Sequence, residues 1–468
     1  MPPRLSSRPL RWARLQGVGL SLAAVALVAR WLLRDTGSWS FPPGLVVLGV
    51  AAVLVLLRPG RVTVLLGAGA AVLVLLQVLR RGSGLGEGLV GGALALQVVG
   101  LVAALVGGAL ALGVSLRQAR AAGQRLDLAR GGQVLALLVL APVCAEYLAA
   151  YDSSTGNPVE LLVGLVVFVP LYGCPALLVR EVGRRAGLGW PGVVLLATAF
   201  GLLQAGVVDE SLFSPDYRAI GGWTEEYRAT LVAPLGISAA HALNFVGGHV
   251  VFSICAPIAL VEATRPASAT RPWLGRAGLA VVVLGYLAAS ALVLVDSRST
   301  EGRQASTVQL AVTAGLVVLL VAAAYGWRRH PPRSAAGRPA VGVRRVFGVA
   351  LLLAVLHALA PSTWLGVLLG VLALGAAAVA LARASRADGW GVAQAAAAAA
   401  APLLVRAVLA FTYDPLIGEV APAAKLGHNA VMLALVLAAT ALALRPPPRR
   451  PPVGPRPVLP VPPGRKVG

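Results

Sequence analysis

Lysine is almost missing from this chain: of its 40 basic residues only Lys425 and Lys466 are not arginine. Charge of either sign is scarce as well, at 12% of residues. Soluble domains carry about 25%, so the composition excludes an ordinary soluble fold. Cysteine occurs three times, at Cys144, Cys174 and Cys255, each inside an apolar run. No CxxC and no Cys/His cluster exists, which leaves neither a disulfide framework nor a zinc-finger pattern. No GxxxxGK[ST] loop occurs either, which disfavours a nucleotide-driven machine. What fills the chain instead is apolar: 58% hydrophobic residues and a mean hydropathy of +0.81.

That hydrophobicity is concentrated in runs. A spanning helix needs about 20 apolar residues, and fourteen candidate runs can be marked between residues 15 and 444. Those at 42–57, 346–360 and 430–444 are short. The pair 346–360 and 364–382, split only by "PST", reads as two spans or as one re-entrant hairpin. The expected fold is all-α, a polytopic transmembrane bundle of about 14 helices (12–14). It divides into a basic arm at 1–14, a four-helix segment at 15–132, a central core at 133–263, about six helices at 264–444 and a Pro/Arg-rich tail at 445–468.

Arginines give the orientation. With the N-terminus cytoplasmic, alternate connections carry 30 Lys/Arg and 4 Asp/Glu, whereas the opposite set carries 8 Lys/Arg and 13 Asp/Glu. Positive charge is retained on the cytoplasmic side, so both termini are expected there, in the cell membrane of a bacterium. The net charge of +22 is then explained by lipid rather than nucleic acid: the basic loops face anionic headgroups. The first run is followed by Arg30 and Trp31 without a small-residue cleavage site, so it reads as a retained helix. The tail lacks the apolar residues to build a core and is expected to be extended.

Ionisable residues inside spans are expensive and mark functional sites. "APVCAEYLAAY" places Glu146 about four residues below the outer end of the run 133–150. Gln204 falls at similar depth in 191–208. The run 236–262 carries His241 and Asn244 near its outer end and His249 near its middle. His241 and Asn244 are three apart and share a helix face. Arg406 and His357 also lie just below outer helix ends. Above this polar layer the loop 209–235 supplies acids and aromatics, with Asp209, Glu210 and Trp223 as candidate lid residues. Should a metal be present, His241, His249 and Glu146 are the residues of the right type to hold it; the sequence names no cofactor. "VPLYGCPALLV" (169–179) sets Pro170, Gly173 and Pro175 mid-span, where either a helix break that binds a ligand or a plain packing kink is expected.

The stretches "PLYGCPALLVREVGRRAGLGWP", "GLLQAGVVDESLFSPDY" and "HVVFSICAPIALVEA" resemble an uncharacterised family of multi-pass membrane proteins from high-GC bacteria, over residues 133–263. That resemblance implies no known activity. Members tend to carry two glutamates where this chain has Gln204–Ala205. A partial likeness to the CPBP (CAAX-protease-like) intramembrane metalloproteases rests on Glu181 with Arg185 in "REVGRR" and Phe245 with His249 in "FVGGH". One glutamate of that family's pair is Arg180 here, and its third motif is missing. Three functions stay open: a transporter or small-molecule or lipid binding protein, a CPBP-like intramembrane hydrolase, and a structural or assembly protein without catalysis. Substrate, coupling ion and protein partners are not legible.

Overall fold

The structure is a computed structural model that describes residues 7–33, 43–57, 59–80, 89–121, 128–302, 304–329 and 335–445. The tail at 446–468 and the first six residues lie outside the described residues, as does the loop arginine Arg81.

Apolar sequence in long uninterrupted runs becomes helix because, without water, every backbone N–H and C=O must be satisfied within the segment. The first four helices are α1 (Ser7–Leu33), α2 (Pro43–Leu57), α3 (Arg61–Arg80) and α4 (Leu89–Ala121). They gather around their own apolar cluster, which includes Leu20, Leu48, Val64 and Leu101. α1 and α4 approach closely because small residues line their seam. A Cβ added at Gly19 would lie 2.6 Å from the Gly100 carbonyl oxygen, so a larger residue there would force the helices apart. Gln16 is fully buried in this bundle and donates to the Val64 carbonyl at 2.7 Å.

The second part begins with α5 (Leu128–Ala145), α6 (Pro158–Ala186) and α7 (Gly189–Val208). A short surface helix, α8 (Trp223–Ala229), precedes α9 (Ala239–Ala263). Then follow α10 (Arg276–Glu301), α11 (Thr307–Arg329), α12 (Val343–Ala358), α13 (Trp364–Ala384), α14 (Val392–Leu409) and α15 (Pro422–Ala443). Helix starts obey ordinary capping: the Asn157 side chain accepts from Val159 N and Glu160 N ahead of Pro158. Ser238 does the same for His241 N. Two-residue strands at Leu231–Val232 and Ile237–Ser238 pair antiparallel between α8 and α9, and 335–339 pairs with 387–388.

Among the described residues, eleven helices are long and apolar enough to cross a membrane. α2 and α12, of 15 and 16 residues, are not among them. α13 is long enough on its own, whereas α12, its partner in the 346–382 pair, has 16 residues. The chain is thus a nearly all-helical, multi-pass membrane protein.

The helix break, one of the two outcomes expected at Pro170–Pro175, does not occur. α6 runs through, widened into a π-turn at Val169–Gly173 in which Cys174 N bonds back to the Val169 carbonyl. The wider turn gives a carbonyl freed by proline an N–H donor five residues on, which removes the need for a break. α7 and α9 carry π-segments of their own, at Gln204–Val208 and His249–Cys255. The π-segment of α9 packs on α5, α6, α7 and α14.

Candidate functional site

The bundle has two polar ends. At the arginine-rich end, "REVGRR" is folded into a closed ionic clasp. Arg180 is fully buried, and each of its three side-chain nitrogens has an oxygen within 3.3 Å. The partners are Glu181, Glu262 and the carbonyls of Ser268, Ala269 and Arg271. Its guanidinium lies 3.3 Å from the Trp273 ring centre. Arg184 grips Glu262 as a fork, at 2.8 and 2.6 Å. Glu181 accepts from Arg180 and Trp273 N at 2.7 Å, from Leu274 N at 3.1 Å and from Arg185 at 3.2 Å. A carboxylate so fully engaged is held for structure, since charged groups bound on all sides are strongly retained.

The acidic end is built differently. α5 ends at a 3-10 turn, Tyr147–Ala149, directly after Glu146. Ala150 then takes φ +50, which swings the chain back over the helix. Tyr151 donates its hydroxyl proton to Glu146 Oε2 at 2.6 Å. Tyr172, presented by the π-turn of α6, faces the same carboxylate closely enough to interact with it. Tyr172 stacks on His249 with 5.9 Å between ring centres, and His249 Nδ1 lies 3.2 Å from Ser253 Oγ. So one π-turn and one π-segment deliver the walls of the site. Phe200 of α7 closes it edge-on to His249 at 5.6 Å.

Arg406 of α14 completes this group. Its charge acts on Glu146, Cys144 and His249, and its guanidinium lies over the Phe252 ring at 4.5 Å. Among the described residues it makes no hydrogen bond and no ion pair within 4 Å, and its Nε is buried without a partner. The turn around Glu146 is braced by the last two helices. His428 Nε2 is 2.8 Å from the Tyr147 carbonyl while its Nδ1 receives Gly156 N–H. Tyr413 donates to the Ala149 carbonyl, and Leu416 N to that of Tyr151 at 2.7 Å.

The loop over this end is a folded cap. Glu210 is 1% exposed and binds Arg298 at 2.6 and 3.0 Å, together with the backbone N–H groups of Gln304 and Ala305. Burial opposes its charge, but these donors prevail and hold the carboxyl below its ordinary value. Asp209, next to it, is pushed up to about 6 by burial, with the nearby Glu146 charge adding to the rise. Trp223 donates to the Ser214 carbonyl at 3.0 Å and lies 4.3 Å from the His241 ring centre.

The sequence-marked residues therefore distribute as follows. Glu146 and His249 meet through Tyr172. His241 belongs to an aromatic group of Trp223, Tyr227 and Phe245 in the cap, with Glu226 at 3.9 Å. Tyr217 connects the two groups, 5.2 Å from Trp223 and close enough to Tyr151 and Glu146 to interact electrostatically. Gln204 is fully buried with both amide atoms unpartnered. Asn244 is exposed, while His241 is 5% exposed. His357 packs against Gly370, away from this group. Among the described residues no three His, Cys, Asp or Glu gather closely enough to hold a metal ion. Tyr151 and Tyr172 are site residues that the sequence reading passed over, because a neutral phenol in an apolar run looks like core.

No curated protein and no solved structure matches the chain. Residues 135–442 match an uncharacterized membrane protein family, a span that begins within α5, takes in both polar ends and reaches well past the 133–263 resemblance. With well over half of its length matched, the chain belongs to that uncharacterized membrane protein family.

Proposed function

We propose that this protein is a transporter, or a binding protein for a small molecule or lipid, of the bacterial cytoplasmic membrane. Its site is the group Glu146, Tyr151, Tyr172, His249 and Arg406, and Asp209, Glu210 and Trp223 form the cap above it. On this reading both termini are cytoplasmic and the acidic end faces outward.

One observation carries the reading: a carboxylate, Glu146, and a guanidinium, Arg406, occupy spanning helices close enough to interact electrostatically without forming an ion pair. Such residues are retained at a cost of about 3 kcal/mol each at full membrane depth. A protein that needed them only for packing would pair them, as the opposite end pairs Arg180 with Glu181. The π-turns point the same way, because such widened turns recur at functional sites. The CPBP-like form of the hydrolase alternative would use Glu181 with His249, whereas its other form would use Glu146 as base with His241 or His249. Against the CPBP-like form, Glu181 accepts four hydrogen bonds in the clasp and offers no lone pair to a water molecule.

The test is complementation of a deletion strain. Glu146→Gln and Glu146→Ala should express and fold as wild type yet fail to restore the deletion phenotype. Full complementation by both would remove the site from this reading and leave a structural protein. Reporter fusions after Arg130 and after Gly222 should report opposite sides of the membrane; the same side for both would overturn the orientation.

A further inference from the structure

Arg406 has hydrogen-bonding capacity that the protein does not use. A guanidinium presents five N–H donors in a fixed fork. Here it sits in α14, three residues before the helix ends at Leu409, half-buried, with the face of Phe252 4.5 Å from it. An aromatic face stabilises the charge but accepts no in-plane N–H bond. Glu146 does not pair with it within 4 Å among the described residues and instead accepts from the Tyr151 hydroxyl at 2.6 Å. The neighbouring imidazole, His249, is engaged with Ser253. The group therefore has its acceptor satisfied and its strongest donor unsatisfied.

Resting on the reading of this group as a ligand site, we infer that Arg406 anchors an oxyanion, a carboxylate or phosphate group whose two oxygens match the guanidinium fork. That fork suits planar, two-oxygen recognition, whereas a lysine would offer a point charge. The Phe252 ring flanks the position, 4.5 Å from the guanidinium. The groups facing Arg406 include Glu146 and His249, with Cys144 on α5 and Tyr413 above α14. Asp152 and Asp209 face Glu146 in turn, and Tyr151, Tyr217 and Arg218 complete the surround. Three carboxylates thus stand near an incoming anion, with Arg218 and, 5.1 Å over the Tyr413 ring, Lys425 as further cations. An anion entering this setting favours protonation of the carboxylates, so its affinity should rise as pH falls.

The oxyanion has two sources, a soluble molecule or the phosphate of an outer-leaflet lipid, and one experiment separates them. Full-length protein is delipidated in a neutral detergent and titrated with inorganic phosphate, with acetate and with phosphatidylglycerol. Binding is read by calorimetry for the salts and by native mass spectrometry for the lipid. Wild type should bind at least one probe saturably and more tightly at pH 6 than at pH 8. Arg406→Gln should weaken that probe about tenfold, the weight of one charge-assisted pair. Arg406→Lys should fall between, and Arg383→Gln on α13 should change nothing. Saturation by phosphate or acetate identifies a soluble ligand; saturation by phosphatidylglycerol alone identifies the lipid. Because Arg406 bonds no protein acceptor, Arg406→Gln should keep the wild-type unfolding midpoint, and Arg406→Lys retains the charge should it not. Equal binding by wild type and Arg406→Gln, or no saturable binding of any probe, overturns the inference. If that happens while Glu146→Gln still fails to complement, the site reading stands and only the oxyanion is lost.

Discussion

Arg180 and Arg406 are both arginines within apolar helices, and the two ends of the bundle treat them oppositely. Around Arg180 the loop 264–275 folds down and supplies three carbonyls, an indole and the backbone of a carboxylate clamp. Around Arg406 there is a ring face, an imidazole and a carboxylate already bound to the Tyr151 phenol. The first arrangement is a finished structure. The second is finished only by something the chain does not contain. The difference teaches that a charge inside a membrane protein is not by itself a sign of function; what matters is whether its bonding capacity is used up.

The largest expected effect lies in the clasp. Glu181→Ala removes one of the two carboxylates of Arg180 and the carboxylate of Arg185, and strands two backbone N–H groups. Breaking one partner of a buried pair costs about 3–5 kcal/mol. The variant should lose its cooperative thermal transition in detergent or fail to accumulate, and an unchanged midpoint would mean the clasp is not what holds this end together.

A smaller effect of opposite sign is expected at the cap. Asp209 moves from 3.8 to about 6 on folding. A carboxyl raised in the folded state binds protons better there, so stability is greatest below pH 4 and falls as pH rises through 4 to 6. Asp209→Asn keeps an acceptor for Ser211 N, now 3.0 Å away, and removes the charge. It should stabilise the protein at pH 7.5 by about 2 kcal/mol, after allowance for partial exposure, and leave it unchanged at pH 3.5. Unfolding midpoints at the two pH values check this. A gain at both would mean that Asp209 is not titrating in the cap.

Gln204 sharpens the comparison further, because it is a neutral version of Arg406. Both amide atoms are buried without partners, and each such atom costs about 1–3 kcal/mol. Gln204→Leu should therefore raise the unfolding midpoint, by about 1 kcal/mol once steric misfit is counted. A fall in midpoint would show that the amide is bonded in the working protein.

Much of this architecture was legible in the sequence, and the failures have identifiable causes. Long uncharged runs made the helices visible, since a backbone in lipid has few alternatives. Glu146 stood out because a carboxylate interrupts an apolar run. The clasp was hidden: "REVGRR" reads as a solvated surface cluster until 264–275, some 80 residues on, folds over it. Tyr172 was hidden because a phenol counts as apolar until a carboxylate faces it. Pro170 and Pro175 suggested a break, but a π-turn absorbs them by bonding one residue further back. His241 and Asn244 share a face by spacing, yet three residues leave a 60° offset, enough for His241 to be buried under Trp223 while Asn244 is exposed. Arg406 could be placed at depth from the sequence, but its contact with Phe252 joins helices about 150 residues apart.

The contrast between the two ends is tested most directly by making the same substitution at both. Arg180→Gln and Arg406→Gln are compared for unfolding midpoint in detergent and for complementation of a deletion strain. The account predicts that Arg180→Gln loses its folded state and that Arg406→Gln unfolds as wild type does yet fails to complement. Arg406→Gln that complements fully, or Arg180→Gln that unfolds at the wild-type midpoint, would contradict it.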